Sequence, residues 1–387
     1  MEISSGNERQ LPAAYVHVPF CRHRCGYCNF TLVSGRDDLI DQYLKAIELE
    51  LATIGETVPI STLYIGGGTP THLSGQQLQR LLSSIGRTFS LCNDLTTAPE
   101  FSVEANPADI DEEKINVLYD AGVNRISLGA QSFNAAKLKR LERDHTADII
   151  RSAVSIARIR IKNVSLDLIF AAPEESVDDW KRDLEQAIAV DPNHISTYGL
   201  TIERGTTFWN RQLHNDLHPL DEETQRTMYE LAVDKLTSAG FEHYEVSNFA
   251  KPNFRSAHNE NYWLGGEYYA VGPGAARYLN RERSMNHQST TTYIKGVLAG
   301  QSPIVDREKL SDEDIARERL VFGLRRIEGI DVAGFHRETG FTIDELAQPA
   351  LGDFIAADLL RYQNDRLTLT REGLIVSDSI WPRFLVP

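Results

Sequence analysis

The stretch YVHVPFCRHRCGYCNF (residues 15–30) holds three of the four cysteines of the chain, in a C-x-x-x-C-x-x-C pattern. The alternating residues of AAYVHV (residues 13–18) predict a β-strand that ends shortly before Cys21. Four cysteines in 387 residues are too few for a disulfide framework, so the cluster indicates a metal or iron–sulfur site. Cys92 stands apart from the cluster, and we expect it to be a small buried apolar residue.

Three thiolates can hold an iron–sulfur cluster and leave one iron open to another ligand. A structural zinc site needs a fourth protein ligand, for which His23 is the candidate inside the motif. His23 lies between Cys21 and Cys25, where we expect a loop residue that faces solvent. The spacing therefore favours a cluster, and a zinc-stapled structural or DNA-binding module is the alternative.

The residues that follow the motif alternate between short apolar runs and segments with apolar residues at helical spacing. TLYIGGG (residues 62–68) predicts a strand, and SGQQLQRLLSSI (residues 74–85) predicts a helix that begins at a serine cap. Repeated pairs of this kind imply β-α-β units and a parallel sheet. Because about six pairs follow one another, the sequence predicts a full or partial barrel, with its chemistry at the carboxyl ends of the strands. HYEVSNF (residues 243–249) is predicted to add a further strand.

The C-terminal part of the chain has a different pattern. SDEDIARERLVFGLRRIEG (residues 311–329) predicts a charged amphipathic helix, and DRLTLTREGLIVSDSI (residues 365–380) predicts a β-hairpin that leads to a last helix. We therefore expect two domains, residues 1–285 and residues 286–387. The second is smaller, helical and winged-helix-like, and we expect it to pack as a lid over the barrel.

The charge of the chain limits its partners. The formal net charge is -15, whereas a protein that binds a phosphate backbone needs a basic surface, so we expect no nucleic-acid partner. The first ten residues contain no basic segment followed by an apolar run, and no apolar stretch is long enough to cross a bilayer. We expect a soluble, cytoplasmic protein.

The cysteine motif resembles the signature of radical S-adenosylmethionine (SAM) enzymes. Within that family the chain resembles the branch that holds the oxygen-independent coproporphyrinogen III dehydrogenase HemN and the heme chaperone HemW. The resemblance covers nearly the whole chain, with its motifs in the right order. It continues through GGGTPT (66–71), SVEANP (102–107), NRISLGAQSF (124–133), LDLI (166–169), YEVSNFA (244–250), HNENYW (258–263) and LTLTREGLIVSDSI (367–380).

The resemblance implies a partial (β/α)6 TIM-like barrel with a C-terminal domain of the HemN/HemW type. It also implies a [4Fe-4S] cluster held by Cys21, Cys25 and Cys28, whose open iron chelates SAM. In this family one electron from the reduced cluster cleaves SAM to methionine and a 5'-deoxyadenosyl radical. The sequence leaves open whether this chain cleaves SAM or only binds it.

Several polar residues and glycines fall on the family's SAM-contact positions. Glycines without side chains let a ligand approach the backbone closely. Glu104 is a carboxylate in an apolar run, where it is costly to bury unpaired, and Arg143 suits a ligand carboxylate. Without the resemblance, side chains of this kind are more often members of an ordinary ion pair or a strand cap. The SAM-contact residues implied by the resemblance are Tyr15, Tyr27, Gly67, Gly68, Thr69, Glu104, Gln131, Arg143, Asp167 and Thr201.

Three features depart from the family pattern. A glycine that usually follows the fifth strand is replaced by Ala171, which puts the local loop geometry in doubt. The dehydrogenase typically has a fourth cysteine at the position of Phe30, and it has a long extension ahead of its cluster, where only 20 residues precede Cys21 here. The last two departures favour the chaperone branch.

HNENYW matches the H-N-x-x-Y-W motif of HemW-like proteins. The resemblance implies that His258 supplies an imidazole to heme iron, as axial histidines do elsewhere. Tyr262 and Trp263 are then expected to pack against the macrocycle. The alternative is that His258 is a structural hydrogen-bonding residue in a loop.

The leading hypothesis is a radical SAM heme chaperone that binds heme and delivers it to hemoproteins, membrane-associated ones among them. The alternative is an oxidoreductase that decarboxylates coproporphyrinogen III to protoporphyrinogen IX. In either case the partner is heme or a porphyrinogen. Monomer and homodimer both stay open.

Overall fold

The computed structural model describes residues 11–93 and 98–385, so the N-terminal residues examined for a signal lie outside it. The strands are β1 (Ala13–Val18), β2 (Phe20–Cys21), β3 (Val33–Ser34), β4 (Val58–Ile60), β5 (Thr62–Gly67), β6 (Phe89–Leu91), β7 (Glu100–Ala105), β8 (Arg125–Gln131), β9 (Asn163–Phe170), β10 (His194–Gly199), β11 (Glu242–Glu245), β12 (Asn248–Ala250), β13 (Tyr268–Val271), β14 (Ala276–Leu279), β15 (Glu282–Asn286), β16 (Ile304–Lys309), β17 (Ile330–Asp331), β18 (Leu360–Gln363) and β19 (Arg366–Leu369).

The helices surround this framework. They are α1 (Ile40–Ala52), α2 (Gly75–Thr88), α3 (Glu112–Asp120), α4 (Ala135–Arg140), α5 (Ala147–Ala157), α6 (Val177–Ala189), α7 (Thr207–Leu213), α8 (Glu222–Ser238), α9 (Ala257–Trp263), α10 (Thr290–Leu298), α11 (Asp312–Arg325), α12 (Val332–Thr339), α13 (Ile343–Ala347), α14 (Ala350–Ala356), α15 (Arg371–Ile375) and α16 (Ser377–Leu385). Short 3-10 turns cover Asp37–Leu39, Pro70–His72 and Pro107–Asp109.

One large sheet carries the first part of the chain. Its order is β11-β12-β10-β9-β8-β7-β5-β1-β13-β14-β15-β16. The six strands from β1 to β10 within this order run parallel, and β13 adds to β1 in the same direction. Because the edges remain apart in this order, the sheet is open, and the predicted partial (β/α)6 barrel is confirmed.

Local sequence signals set the ends of several helices. The Ser74 side chain accepts a hydrogen bond from the Gln77 amide and begins α2 in a capping box, as the sequence predicted. Gly122 and Gly240, with φ of 93° and 88°, follow the ends of α3 and α8. These are left-handed positions at which glycine carries no side-chain penalty.

HYEVSNF forms a hairpin instead of the single strand expected from its sequence. The chain reverses between β11 and β12, and β12 pairs antiparallel with β10. The Glu245 carboxylate accepts the amide hydrogen of Ser247 at 2.9 Å, which satisfies the backbone inside the turn. The Glu245 side chain thus stabilises a chain reversal that the pattern of HYEVSNF does not predict.

A second hydrophobic core lies in the C-terminal region. It is built from α11 to α16 and from a small sheet of order β17-β19-β18, which agrees with the winged-helix-like prediction. The hairpin consists of β18 and β19, and the residues after Leu369 are helical instead of forming its second strand. Thr370 explains this change, because its side chain caps α15 by accepting from the Gly373 amide at 3.0 Å.

The segment between the two cores belongs structurally with the first. Tyr293, Ile294 and Val297 of α10 join the first core, and β16 extends the large sheet. The second core begins at Ala316. We therefore propose a boundary after β16 in place of the one expected between residues 285 and 286.

Two smaller observations complete the fold. Cys92 is half-buried at the end of β6, not fully buried as expected, and its sulfur lies 3.5 Å from the Ser90 carbonyl oxygen. In residues 11–93 and 98–385, no helix has both the length and the apolar character required to span a membrane.

Candidate functional site

A cavity of about 520 Å³, here called the main cavity, lies at the carboxyl ends of the parallel strands. This is the edge of the sheet where the β-α pattern predicted the chemistry. Every residue that the sequence analysis assigned to the cluster or to SAM borders it, as does His258, whereas Trp263 borders a separate cavity. These residues are Tyr15, Cys21, Cys25, Tyr27, Cys28, Gly67, Gly68, Thr69, Glu104, Gln131, Arg143, Asp167, Thr201 and His258.

Of the three clustered cysteines, Cys21 ends β2, and Cys25 and Cys28 lie on the loop that follows. The Cys21 sulfur lies 3.4 Å from the Thr69 hydroxyl, and the Cys28 amide donates to the Cys25 carbonyl at 3.0 Å. Burial raises the pKa of Cys21 to about 11 and also raises the pKa of Cys28. These thiols therefore need a bound cation to become thiolates. Among the described residues, no three His, Cys, Asp or Glu side chains are close enough to share one metal ion.

Arg143 connects the cysteine loop to the sheet. Its Nη1 donates to the Cys25 sulfur at 3.6 Å, and its Nη2 donates to the Gly129 carbonyl at 3.0 Å. Its Nε is buried and has no hydrogen-bond partner. A buried guanidinium with a spare donor on a cavity wall is suited to bind an anionic group.

Glu104 and Asp167 place two half-buried carboxyl groups on the wall of the main cavity. Glu104 accepts hydrogen bonds from the Tyr64 hydroxyl at 2.8 Å and from the Gly67 amide at 3.0 Å. Burial, with a contribution from the charge of Asp167, raises the pKa of Glu104 to about 7. Asp167 accepts from the Ser127 hydroxyl at 2.9 Å, and burial raises its pKa as well.

The glycines of GGGTPT are required by packing inside the protein. Gly67 has a φ of 109°, and a Cβ there would lie 2.3 Å from the His17 ring. A Cβ on Gly68 would lie 2.7 Å from the Phe20 carbonyl oxygen. The sequence analysis assigned these glycines to ligand approach, and the structure adds that residues 17–20, from the end of β1 to the start of β2, occupy the space of their side chains.

A bulge turns the end of β8 toward the cavity. The register between β8 and β9 shifts between Leu128 and Gln131, and Gln131 has a φ of 61°. Bulges of this kind redirect a side chain at the end of a strand. The bulge therefore explains how Gln131 comes to border the cavity.

HNENYW forms the short helix α9 and not a loop. The Glu100 carboxylate accepts the backbone amides of Ala257 and His258 at 3.0 and 3.3 Å, which holds the start of this helix. His258 is 2% exposed, and burial lowers its pKa to about 3. Its Nδ1 lies 2.8 Å from the Thr62 hydroxyl and its Nε2 lies 3.0 Å from the Tyr262 hydroxyl. Neither nitrogen is free in this conformation, so iron ligation by His258 requires one of these bonds to open.

The other predicted positions lie around the mouth of the cavity. The His23 side chain is 56% exposed, and its Nε2 lies 3.4 Å from the Glu142 carboxylate, which confirms the expected loop position. Phe30 is also exposed, and Thr201 lies two residues beyond the end of β10. Tyr27 makes an edge-to-face contact with Phe208, with ring centroids 6.1 Å apart.

Tyr64, Arg125 and His194 are among the residues bordering the main cavity that the sequence analysis missed. Tyr64 pairs in register with Tyr15 on the neighbouring strand, and the two rings stack with centroids 6.2 Å apart. Side chains alternate between the two faces of β5, and Tyr15 was already expected to border the cavity. Together these two features could have predicted that Tyr64 borders it as well. Arg125 and His194 begin their strands, and the sequence offers no comparable signal for them.

Comparison with family models finds two matches. Residues 15–187 match the Radical SAM superfamily, and residues 310–376 match the HemN C-terminal domain. Among known proteins, the heme chaperone HemW of Lactococcus lactis is 37% identical, with 97% of each chain covered. The chain belongs to the HemW family of the radical SAM superfamily.

Other HemW proteins give the same result over nearly their whole length. The heme chaperone HemW of Bacillus subtilis is 34% identical, with 97% of this chain and 99% of that protein covered. The Escherichia coli HemW is 31% identical, with 96% and 97% covered. Membership of the radical SAM superfamily implies a [4Fe-4S] cluster and SAM as cofactors.

Among solved structures, coproporphyrinogen III oxidase (HemN) from Escherichia coli superimposes with a TM-score of 0.84. The match covers 97% of this chain and 90% of that chain, at 20% sequence identity. At this identity the likeness shows the fold, and it extends through the C-terminal region.

Proposed function

We propose that this protein is a heme chaperone that binds heme beside its radical SAM site and delivers it to hemoproteins, membrane-associated ones among them. The observation that carries the proposal is the near-full-length similarity to proteins named heme chaperone HemW. The HNENYW helix adds local support, because His258 and Tyr262 of this helix border the main cavity.

Cys21, Cys25 and Cys28 would hold the [4Fe-4S] cluster in the main cavity. Each thiolate of such a cluster binds its own iron, so the three sulfurs need not converge on one ion. The Arg143 donor beside Cys25 fits an anionic cluster. When bound, the cluster and SAM supply one-electron chemistry.

The remaining walls of the main cavity fit the polar groups of SAM. Arg143 keeps a buried donor free for a carboxylate, and Glu104 offers a carboxylate for an ammonium or for ribose hydroxyls. Gly67, Gly68 and Thr69 present the end of β5 to the same space. The other proposed SAM contacts are Tyr15, Tyr27, Gln131, Asp167 and Thr201.

Heme is proposed to bind next to α9, with Tyr262 and Trp263 against the macrocycle and His258 close to the iron. Half-buried aromatic side chains of this kind offer apolar faces to a porphyrin. The proposed acceptors follow from the name of the family, and the geometry does not select one. Monomeric and dimeric forms are both compatible with this proposal.

A turnover assay separates the chaperone from a coproporphyrinogen dehydrogenase. The protein is reconstituted with iron and sulfide without oxygen and then given reductant, SAM and coproporphyrinogen III. We expect no decarboxylated product, because Phe30 stands where the dehydrogenase typically has its fourth cysteine, and we expect the same preparation to bind heme. Formation of protoporphyrinogen IX would place the protein in heme biosynthesis instead.

A further inference from the structure

His258 is fully engaged within the protein. Thr62 and Tyr262 occupy its two ring nitrogens, and its ring stacks on Tyr64 with centroids 5.1 Å apart. Its own amide donates to the buried carboxylate of Glu100, so the backbone is held as well. Because both nitrogens and one face of the His258 ring are in contact with other side chains, the ring is held in place and can orient a side chain next to it.

That neighbour is Tyr262, which lies one helical turn after His258. Its hydroxyl lies 3.0 Å from His258 Nε2, and its side chain is only half-buried. Tyr262 borders the main cavity and two further cavities of about 360 Å³ and 410 Å³. Of the described residues, it is the only one common to all three.

The cavity of about 360 Å³, here called the aromatic cavity, suits a flat apolar ligand. It lies between α9 and α11, and its wall includes Trp263, Tyr268, Tyr278 and Phe322. Trp263 Nε1 is buried there without a hydrogen-bond partner, which leaves a donor for an acceptor group on a ligand. The side chain of Tyr262, with its hydroxyl oxygen, therefore lies between the main cavity and the aromatic cavity.

Resting on the proposed heme-binding function, we infer that Tyr262, instead of packing against the macrocycle, supplies the axial oxygen ligand to ferric heme, and that His258 is not a ligand but its positioning residue. Phenolate is one of the protein ligands that hold heme iron. On binding, the O–H bond of Tyr262 breaks, an iron–oxygen bond forms, the proton passes to solvent, and the iron stays ferric. Neutral His258 then donates from Nε2 to the phenolate oxygen and accepts from the Thr62 hydroxyl at Nδ1.

The test compares ferric heme binding by the full-length wild-type protein, Tyr262→Phe and Tyr119→Phe, using absorption titration and resonance Raman spectroscopy. We expect tyrosinate ring modes in the wild-type complex. Tyr262→Phe should lose these modes and bind heme at least tenfold more weakly. Tyr119→Phe removes an exposed hydroxyl outside all three cavities and should keep both the tyrosinate modes and the heme affinity. Circular dichroism establishes that each variant is folded.

The role of His258 is tested by His258→Gln and His258→Leu. Glutamine can still donate to the phenolate, so its complex should keep tyrosinate modes with an iron–oxygen stretch near the wild-type frequency. Leucine cannot donate, and its complex should keep the tyrosinate modes with a shifted stretch. Loss of the modes in Tyr119→Phe, or an imidazole signature that only the His258 variants abolish, would overturn the inference.

The outcomes also separate this inference from the proposed function. If the wild-type protein does not bind heme, the chaperone proposal fails and the ligand assignment fails with it. If it binds heme and Tyr262→Phe has an unchanged spectrum and affinity, only the ligand assignment is wrong.

Discussion

Glu104 places a carboxyl group with a raised pKa on the wall of the main cavity. The Tyr64 hydroxyl and the Gly67 amide both donate to it, and burial brings its pKa to about 7. A cation bound beside this group favours its ionised form. Binding of a cationic ligand and loss of a proton from Glu104 are therefore linked.

This linkage predicts how SAM binding depends on pH. With a pKa near 7, Glu104 is mostly protonated at pH 6 and mostly ionised at pH 8. If SAM binds the ionised form, its affinity should rise about tenfold between pH 6 and pH 8. Isothermal titration of the reconstituted protein measures this change, and Glu104→Gln should bind more weakly and show a flat profile.

The matched control is Glu50→Gln. Glu50 is another buried carboxylate with a raised pKa, and its partners Gly272 and Asn286 lie outside the main cavity. Its variant should keep the wild-type pH profile. If the SAM affinity of Glu104→Gln depended on pH as steeply as that of the wild-type protein, the titrating group would be one other than Glu104.

At the scale of elements, the ends of β5 and β9 both need unusual backbone conformations. Gly67 has a φ of 109°, with the His17 ring in the place of its side chain. Ala171 follows β9 with a φ of 62°, at the position where the family usually has glycine. The sequence left the geometry of this loop in doubt because Ala171 replaces a glycine. The structure shows that the alanine keeps the left-handed conformation, at a cost of about 1–2 kcal/mol.

Substitutions at the ends of β5 and β9 should therefore change the free energy of unfolding by different amounts. Gly67→Ala meets both backbone strain and the His17 ring, and it should lower the free energy of unfolding by more than about 2 kcal/mol. Ala171→Gly relieves strain but loses a buried methyl group and adds chain entropy, so its effect should stay within about 1 kcal/mol. Chemical denaturation measures both, and equal losses would contradict this account.

A buried ion triad joins α4 to α6 and the loop before it. Lys137 Nζ lies 2.5 Å from Glu175 and 3.0 Å from Asp183, and all three side chains are buried. Lys137→Met leaves two carboxylates without their cation and should cost about 3–5 kcal/mol in denaturation. Lys139→Met, an exposed neighbour, is the control and should cost little. A similar small loss in both variants would show that the triad adds nothing.

Much of this element structure could be predicted from sequence because its signals are local. The caps at Ser74 and the stop at Gly122 depend on neighbouring residues alone. The hairpin at Ser247 and the helix at His258 were missed because each depends on a buried glutamate that meets the backbone after folding. The residues proposed for the cofactors could be placed around one cavity through family motifs, whereas Tyr64 and Arg125 come to that cavity through strand register.

At the scale of the whole molecule, the two cores meet around Glu245. The Val246 amide donates to the Arg325 carbonyl and the Ile327 amide donates to the Tyr244 carbonyl, each at 3.1 Å. The Arg325 guanidinium lies 3.6 Å from the fully buried Glu245 carboxylate and 4.4 Å from the centre of the Trp263 ring. This junction borders the proposed heme helix, so the C-terminal region supports the site.

The junction predicts unequal effects for two arginines. Arg325→Met leaves Glu245 buried without its cation, and it should lower the free energy of unfolding by about 3–5 kcal/mol. Arg371 pairs with Asp234 at 3.0 Å, but both side chains are more than half exposed. Arg371→Met should therefore cost less than about 1 kcal/mol. Denaturation of both variants checks this, and a larger loss for Arg371→Met would contradict it.

Transfer of heme to an acceptor protein tests the proposed chaperone function most directly. The reconstituted protein is loaded with one equivalent of ferric heme, separated from free heme, and mixed with a heme-free hemoprotein such as apomyoglobin. The account predicts that the acceptor spectrum appears faster at higher acceptor concentration, as direct transfer requires. Heme that stays on the protein, or that reaches the acceptor at a rate independent of acceptor concentration, would contradict a chaperone that hands heme over by contact.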